Sequence, residues 1–330
     1  ALSGTVVLGP SSSPASHFTS AFGTQTFDVF AIDSTHLKFI EMDPAGTLIG
    51  DAFSQPSTTM PTGNLAFTLA GSFPGPTTVS AAGGIIVTDG NGNITDASSV
   101  DSNNGGQPSP SPVAFTGTYT AAGTGRYNLT LATPFSDGSL YVAYPSSNGV
   151  FLLEVDPSSS VTGGIMSGAA YTQSSTATLG VPDGYAFNLS GVNASSESEG
   201  GSSSEVDEIA EFATASGGTL TGIIDENSLE QTVVGIPLDG NFSAPSGGRG
   251  LISATASNNS EGTLEGGFNL TYYTVDGTTF PFIEMDDTQV GTGVFVLQSS
   301  TGSSSAVSKP HALFVPHPLI RPHVAKQKKN

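Results

Sequence analysis

Leu37-Lys38-Phe39-Ile40-Glu41-Met42-Asp43, Val150-Phe151-Leu152-Leu153-Glu154-Val155-Asp156 and Phe280-Pro281-Phe282-Ile283-Glu284-Met285-Asp286 are one pattern written three times. Each follows an aromatic, alternating segment: Phe27-Asp28-Val29-Phe30, Leu140-Tyr141-Val142-Ala143-Tyr144 and Leu270-Thr271-Tyr272-Tyr273. Each leads through a Gly-containing turn to a glutamine, Gln55, Gln173 or Gln298. The spacing, 113 and then 130 residues, is that of domain-sized repeats rather than of solenoid units.

Working outward, the front of the repeat recurs twice. Asn64-Leu65-Ala66-Phe67-Thr68-Leu69-Ala70-Gly71 corresponds to Gly184-Tyr185-Ala186-Phe187-Asn188-Leu189-Ser190-Gly191, and Ile85-Ile86-Val87 aligns with Phe212-Ala213-Thr214. Gly125-Arg126-Tyr127-Asn128-Leu129 aligns with Gly248-Arg249-Gly250-Leu251-Ile252. Ser3-Gly4-Thr5-Val6-Val7-Leu8 reads as that same strand with its arginine replaced or missing. The chain divides into half a repeat (1–55), two whole repeats (56–173 and 174–298) and a tail (299–330). Its apolar runs are short, β-branched or aromatic, and alternate with period two between Gly, Asn, Asp, Ser and Pro clusters, the pattern of antiparallel strands. The expected fold is all-β: tandem antiparallel β-sandwich or barrel-like domains with an extended C-terminal tail.

This repeat resembles the tandem β-domains of secreted acidobacterial proteins. The matching residues are the Ala-Phe-x-Leu-x-Gly opening (Ala66 to Gly71, Ala186 to Gly191), the Asp89-Gly90-Asn91-Gly92-Asn93-Ile94 hairpin, the Phe115-Thr116-Gly117-Thr118-Tyr119 strand, and the Gly-Arg and Glu-x-Asp strands. They cover roughly residues 1–298. The resemblance implies a secreted β-fold and implies no activity.

Charge narrows the partners. The 330-residue chain has a formal net charge of −20. Residues 1–308 hold three basic side chains, Lys38, Arg126 and Arg249, against all 28 acids. The tail holds Lys309, Arg321, Lys326, Lys328 and Lys329 and no acid. A body this acidic repels nucleic acid, and the dipolar layout favours contact between copies or docking of the tail on an acidic surface. No run of about 18 apolar residues would cross a membrane as a helix. Zero cysteines remove disulfides, thiolate metal sites and cysteine nucleophiles together. Residue 1 reads as mature sequence, any signal peptide being removed or outside the chain.

The chemistry-bearing residues are few. In an extended strand Glu41 and Asp43 share a face with Phe39, as Glu154 and Asp156 do with Leu152, and Glu284 and Asp286 with Phe282. A glutamate on an apolar face needs a partner, and Arg126 and Arg249 occupy one repeat position. Structural ion pairs Arg126–Glu154 and Arg249–Glu284 are therefore expected within each domain. A glycosidase-like carboxylate pair is the alternative, but a motif in every repeat reads as framework. Asp89 to Asn93 reads as a hairpin turn, since Ile94 and Val100 occupy the positions where a calcium loop needs Gly and Glu. The acidic run Glu197, Glu199, Glu205, Asp207, Glu208 and Glu211 reads as a solvated, Ser/Gly-rich inserted loop; binding of calcium or of a basic tail is the sharper alternative. Seven Asn-x-Ser/Thr sequons are compatible with glycosylation. No G-x-S-x-G elbow, P-loop, dinucleotide fingerprint or H-E-x-x-H occurs. His17 and His36, the two body histidines, have no nucleophile in a recognisable context. No catalytic residue, cofactor or metal ligand is assigned, and the regular Pro-His spacing of the tail (Pro310-His311, Pro316-His317, Pro322-His323) does not converge imidazoles on one ion.

The first half-repeat keeps Glu41 and Asp43 but lacks the arginine. Lys309 and Arg321, with His311, are expected to bring a cation to them while Leu313, Phe314, Val315, Leu319 and Ile320 pack on residues 1–55 of the same or a neighbouring chain. Half a β-domain has open edges, which a strand from another copy could complete, and a heterologous contact that does not close makes a filament. The sequence thus points to a secreted, non-enzymatic structural subunit of a cell-surface fibre or adhesive layer, with a copy of itself in head-to-tail contact as partner. The alternative is a monomeric carbohydrate-binding or adhesin module associated with a secreted hydrolase, offering Tyr141, Tyr144, Tyr272 and Tyr273 to a glycan or cell-surface polymer.

Overall fold

A computed structural model describes residues 3–5, 15–20, 23–43, 48–73, 78–132, 139–156, 165–174, 176–194, 205–228, 231–256 and 267–300. All named elements are strands. A five-stranded sheet comes first: β1 (Ser3–Thr5), β2 (Ala15–Ser20), β3 (Gly23–Ala31), β4 (His36–Glu41) and β5 (Ile49–Phe53). Eight strands then close into barrel 1: β6 (Gly63–Phe73), β7 (Thr78–Thr88), β8 (Asn93–Asn104), β9 (Val113–Gly123), β10 (Arg126–Leu131), β11 (Leu140–Ser146), β12 (Gly149–Glu154) and β13 (Ile165–Thr172). Eight more close barrel 2: β14 (Asp183–Asn193), β15 (Glu205–Ala215), β16 (Thr219–Ser228), β17 (Gln231–Phe242), β18 (Arg249–Ala256), β19 (Gly267–Tyr273), β20 (Thr279–Glu284) and β21 (Gln289–Ser300). Each strand pairs antiparallel with its chain neighbours, and β6 with β13 or β14 with β21 shuts the ring. These are up-and-down barrels, the arrangement that leaves no open edge. Among the described residues no helix is long and apolar enough to cross a membrane.

Alternation decides which side chains fill each barrel. Leu65, Phe67 and Leu69 of β6 face inward with Ile86, Ile94, Leu129 and Tyr141. In barrel 2 Phe295 is the hub of an aromatic core, with ring centroids 5.1 Å from Phe280, 5.4 Å from Tyr272, 5.5 Å from Phe212 and 5.7 Å from Phe282. Such stacked and edge-on pairs add to area burial. Both interiors are filled by side chains, as the small circumference of eight strands allows. The Asp89 turn is built as its sequence suggests. Asp89 Oδ1 accepts from the backbone N–H of Asn91 and Asn93, its Oδ2 accepts from Asn93 Nδ2, and Gly90 and Gly92 take positive φ.

Ladder register makes the repeat alignment physical and corrects it twice. Ile86 opposes Leu65 and Phe212 opposes Tyr185, so Ile86, not Ile85, is the counterpart of Phe212. A one-residue slip would have turned that strand inside out. Thr88 and Thr214 then coincide, and each donates its hydroxyl to carbonyls before the first strand of its barrel. At the N-terminus Gly4 opposes Phe18 as Gly117 opposes Leu131. Ser3–Thr5 is therefore the counterpart of Thr116–Thr118 in β9, not of the Gly-Arg strand. The position matching Arg126 is 13, outside the described residues. The sheet β1–β5 is thus the counterpart of β9–β13, the last five strands of a barrel.

Candidate functional site

The polar residues converge where units meet. Asp101, on the outer face of β8, has 1% of its surface exposed. Arg249 grips it with two bonds, Nε to Oδ2 and Nη2 to Oδ1, both 2.8 Å, and the Tyr273 hydroxyl donates to Oδ2 at 2.8 Å. The carboxylate raises Arg249 above its ordinary value, and burial, with Asp101 beside it, pushes the Tyr273 hydroxyl well up. Two residues on, Asn103 Nδ2 shares its hydrogens among the carbonyls of Glu284, Asp286 and Gln289 at 2.9–3.1 Å. Around these polar contacts Ala66, Ala81, Ile85, Ala169 and Tyr171 of barrel 1 pack on Tyr273, Val275, Ile283 and Val290 of barrel 2. Gly83 is required here: a Cβ would stand 2.5 Å from the Tyr273 ring.

A glutamine completes the joint. Gln173 Nε2 donates to Thr274 O at 2.8 Å and lies against Gly248, whose φ of 86° suits glycine. Gln55 does the same one unit earlier, donating to Pro145 O at 2.7 Å and Gly125 O at 3.1 Å over a glycine with φ of 67°. Register makes Pro145 the counterpart of Thr274. Phe53, the counterpart of Tyr171, stacks on Phe151 of barrel 1. Both inter-unit joints are one device: a terminal glutamine of one unit over the Gly-Arg turn of the next. Beside Gln173 a cleft of about 230 Å³, lined by Asn64, Thr176, Pro245 and Gly248 among others, is smaller than the ~300–1,000 Å³ of most small-molecule sites.

The expected ion pairs do not form. Arg249 pairs with Asp101 across the joint, and Arg126 Nη1 donates to Asn128 Oδ1. The reason is register. Arg249 opposes Tyr273 while Glu284 opposes Leu270, three residues or about 10 Å further along the ladder; Arg126 and Glu154 are separated in the same way. The glutamates do face inward, as the alternation requires: Glu154 and Glu284 are buried and Glu41 is half-buried. Asp43 Oδ2 accepts from Thr26 N at 2.7 Å. Lys309, Leu313, Phe314, Val315, Leu319, Ile320 and Arg321 lie outside the described residues, so tail docking has no structural account here.

The acidic run is also corrected. Glu197 and Glu199 lie outside the described residues, but Glu205, Asp207, Glu208 and Glu211 belong to β15 rather than to a solvated loop. Alternation sends Glu208 into barrel 2, where it meets Glu226, Glu284, Asp286 and Gln289. Gln289 Nε2 donates to Glu208 Oε1 at 3.3 Å, while Glu208 Oε2, Glu226 Oε2 and Glu284 Oε2 are buried without a hydrogen-bond partner among the described residues. Burial, with Glu226 beside it, pushes Glu208 from 4.5 up to about 8, and burial with Asp286 and Glu208 pushes Glu284 well up. Among the described residues no group of three acidic or histidine side chains is placed to hold a metal. Burial and their mutual repulsion favour the protonated form of these carboxyls instead. Elsewhere, His17 lies on β2, and His36 stacks on Phe53 and meets Asp51, which Lys38 also reaches. Of the four tyrosines considered for sugar stacking, Tyr141, Tyr272 and Tyr273 are buried and only Tyr144 faces out.

No protein-family model matches the sequence, and neither does any curated protein. Among solved structures the chain is similar to a protein of unknown function from the DUF3598 family of Nostoc punctiforme, at 9% identity over 72% of this chain and 96% of that one, with a TM-score of 0.22. It is also similar to intact Ap-TbpB, N and C lobes, at 8% identity over 82% and 86%, with a TM-score of 0.20.

Two outcomes follow. Asp101→Ala strands Arg249 and the Tyr273 hydroxyl, and urea unfolding should show a loss of about 2–4 kcal/mol, below the full cost of a dry pair because Arg249 touches solvent; a change within ~0.5 kcal/mol, as at ordinary surface positions, would contradict the joint. A carboxyl raised in the fold binds its proton more tightly there than unfolded, so its stabilisation is complete below pH 4.5 and drains away as pH rises towards about 8. Glu208→Gln should flatten that decline in a pH series of unfolding midpoints; an unchanged slope would remove Glu208 as its source.

Proposed function

We propose that the protein is a non-enzymatic structural subunit of an extracellular or cell-surface assembly, built from β-barrel units stacked side by side and extended by strand addition. The observation that carries this reading is a joint used twice, beside a sheet whose outer strands have no partner among the described residues. The glutamine-over-glycine contact occurs at both unit boundaries, and among the described residues no strand pairs with the outer edge of β1 or of β5. Open edges are templates for another strand. The outer face of this sheet also exposes Phe30, Ile40 and Met42, the counterparts by register of the joint residues Tyr273, Ile283 and Met285 in barrel 2. The filled barrels and the repeated framework glutamates support a mechanical rather than a catalytic role. The carbohydrate-binding alternative loses its platform with three of its four tyrosines buried.

Purified alone, the chain should associate through this sheet. Sedimentation velocity over a range of concentrations should give masses that climb above 33.2 kDa, and Ile49→Lys, which places a charge on the edge strand β5, should lower them. A mass of 33.2 kDa at every concentration would sink the assembly reading.

A further inference from the structure

The framework glutamate has carboxyl companions in barrel 2 and not in barrel 1. Register makes Ala82 and Ser102 of barrel 1 the counterparts of Glu208 and Glu226. Where Glu284 meets two further carboxyls, Glu154 has an alanine and a serine at the matching positions. Barrel 1 closes without the extra pair, so closing a barrel of this kind does not call for them.

Glu208 and Glu226 stand directly opposite each other on neighbouring strands, which sets their Cβ atoms about 4.5–5.5 Å apart. Glu284, the last residue of β20, completes the group, with Asp286 in the turn that follows. The charged groups acting on Glu208 are Glu226, Asp286 and its chain neighbour Asp207; those acting on Glu284 are Asp286, Glu208 and Glu226. All are acids. The other strands packed around them bring neutral groups: Leu189 of β14 opposite Glu208, Val233 of β17 opposite Glu226, Leu270 of β19 opposite Glu284, and Gln289 of β21. Ionised together, these carboxyls repel one another with no cation among the described groups that act on them.

The repulsion has one place to go. On either side of Glu208, Asp207 and Ile209 are laddered to Ser190 and Asn188 of β14 and to Asn227 and Asp225 of β16. Glu284 lies past the β20–β21 ladder, which ends at Ile283 opposite Thr292. Beyond Glu284 the backbone is held by Met285 N–H on Asn269 O at 2.6 Å, by Ala194 N–H on Thr288 O at 2.8 Å and by the Asp286 turn. A short turn outside the ladders opens at lower cost than a strand paired on both sides. This same turn carries the three carbonyls that Asn103 of barrel 1 grips.

We infer that the carboxyl cluster is a proton-operated latch on the joint between the barrels. Protonated, it lets the turn after Glu284 stay seated and present its carbonyls to Asn103. As the protons leave to solvent, repulsion drives Glu284 and the turn away from β15 and β16, Asn103 loses its acceptors, and the barrels gain freedom about the Asp101–Arg249 pair. The sign follows from linkage: a proton held more tightly in the closed form stabilises that form at low pH, and the stabilisation is lost as pH rises through about 8 for Glu208. Arg249 and the Tyr273 hydroxyl are both raised and keep their protons through that range, so neither of them opens the joint there. The latch does not depend on the proposed assembly.

Spin labels on cysteines replacing exposed Thr120 of barrel 1 and Thr221 of barrel 2 read the joint directly. Electron–electron double resonance on the full chain should give one narrow distance distribution at about pH 6 and a broadened one at about pH 9.5, on either side of the Glu208 transition, with the circular dichroism of the strands unchanged. Glu208→Gln with Glu226→Gln should stay narrow at both, because the amides keep the shape and cannot ionise. Asn103→Ala should be broad at both. If the double variant does not fold, Glu208→Gln alone should move the broadening to higher pH. A parent distribution that does not change with pH, or one that broadens equally in the glutamine variants, overturns the latch. Loss of strand signal over the same range would make the event an unfolding of the barrel and overturn it as well.

Discussion

A carboxylate with almost no solvent must be neutralised by something, and among the described residues Asp101 finds no cation in its own barrel to do it. Arg249 and the Tyr273 hydroxyl of the next barrel supply the charge and the donor. That requirement fixes the two barrels against each other, because guanidinium and carboxylate meet in a two-bond fork with little angular freedom. The neighbouring residues follow from it. Barrel 1 offers Ala66, Ala81 and Gly83 so that its backbone can approach, and barrel 2 fills the space with Tyr273 and Ile283. The apolar contact excludes water and strengthens the ion pair, and the ion pair sets which way the apolar faces lie.

The same joint reaches into barrel 2. Asn103 holds the carbonyls of Glu284, Asp286 and Gln289, and the side chains of these residues meet Glu208 and Glu226 inside the barrel. The backbone that anchors the neighbour is therefore the backbone that positions the buried carboxyls. Asp286 Oδ1 adds bonds from Thr288 N, Thr288 Oγ1 and Gln289 N, which stiffen this segment from the other side.

Much of this was legible in the sequence, for physical reasons. Period-two alternation set the strands and turned Glu154 and Glu284 inward, because a strand has only two faces. The Asp89-Gly90-Asn91-Gly92 turn was readable because positive φ and side-chain capping are local. The partner of Arg249 was not, since residues 148 positions apart meet only after two barrels have closed. Pairing within a repeat was the natural expectation, and strand register defeats it by placing arginine and glutamate at different levels. The acidic run was misread because charge suggests solvent, whereas alternation alone, applied across Val206, Glu208, Ala210 and Phe212, marks Glu208 as an inward position. Gln55, Gln173 and Gln298 stood out as recurrent, but only the folded chain shows two of them resting on Gly125 and Gly248.

The central claim is that the joint holds the units as one rigid stack. The chain has no cysteine, so two introduced at exposed Thr120 of barrel 1 and Thr221 of barrel 2 can carry spin labels without background. Electron–electron double resonance between them should give one narrow distance distribution that broadens when Arg249 is replaced by alanine. A broad distribution in the parent chain, unchanged by that replacement, would contradict the account.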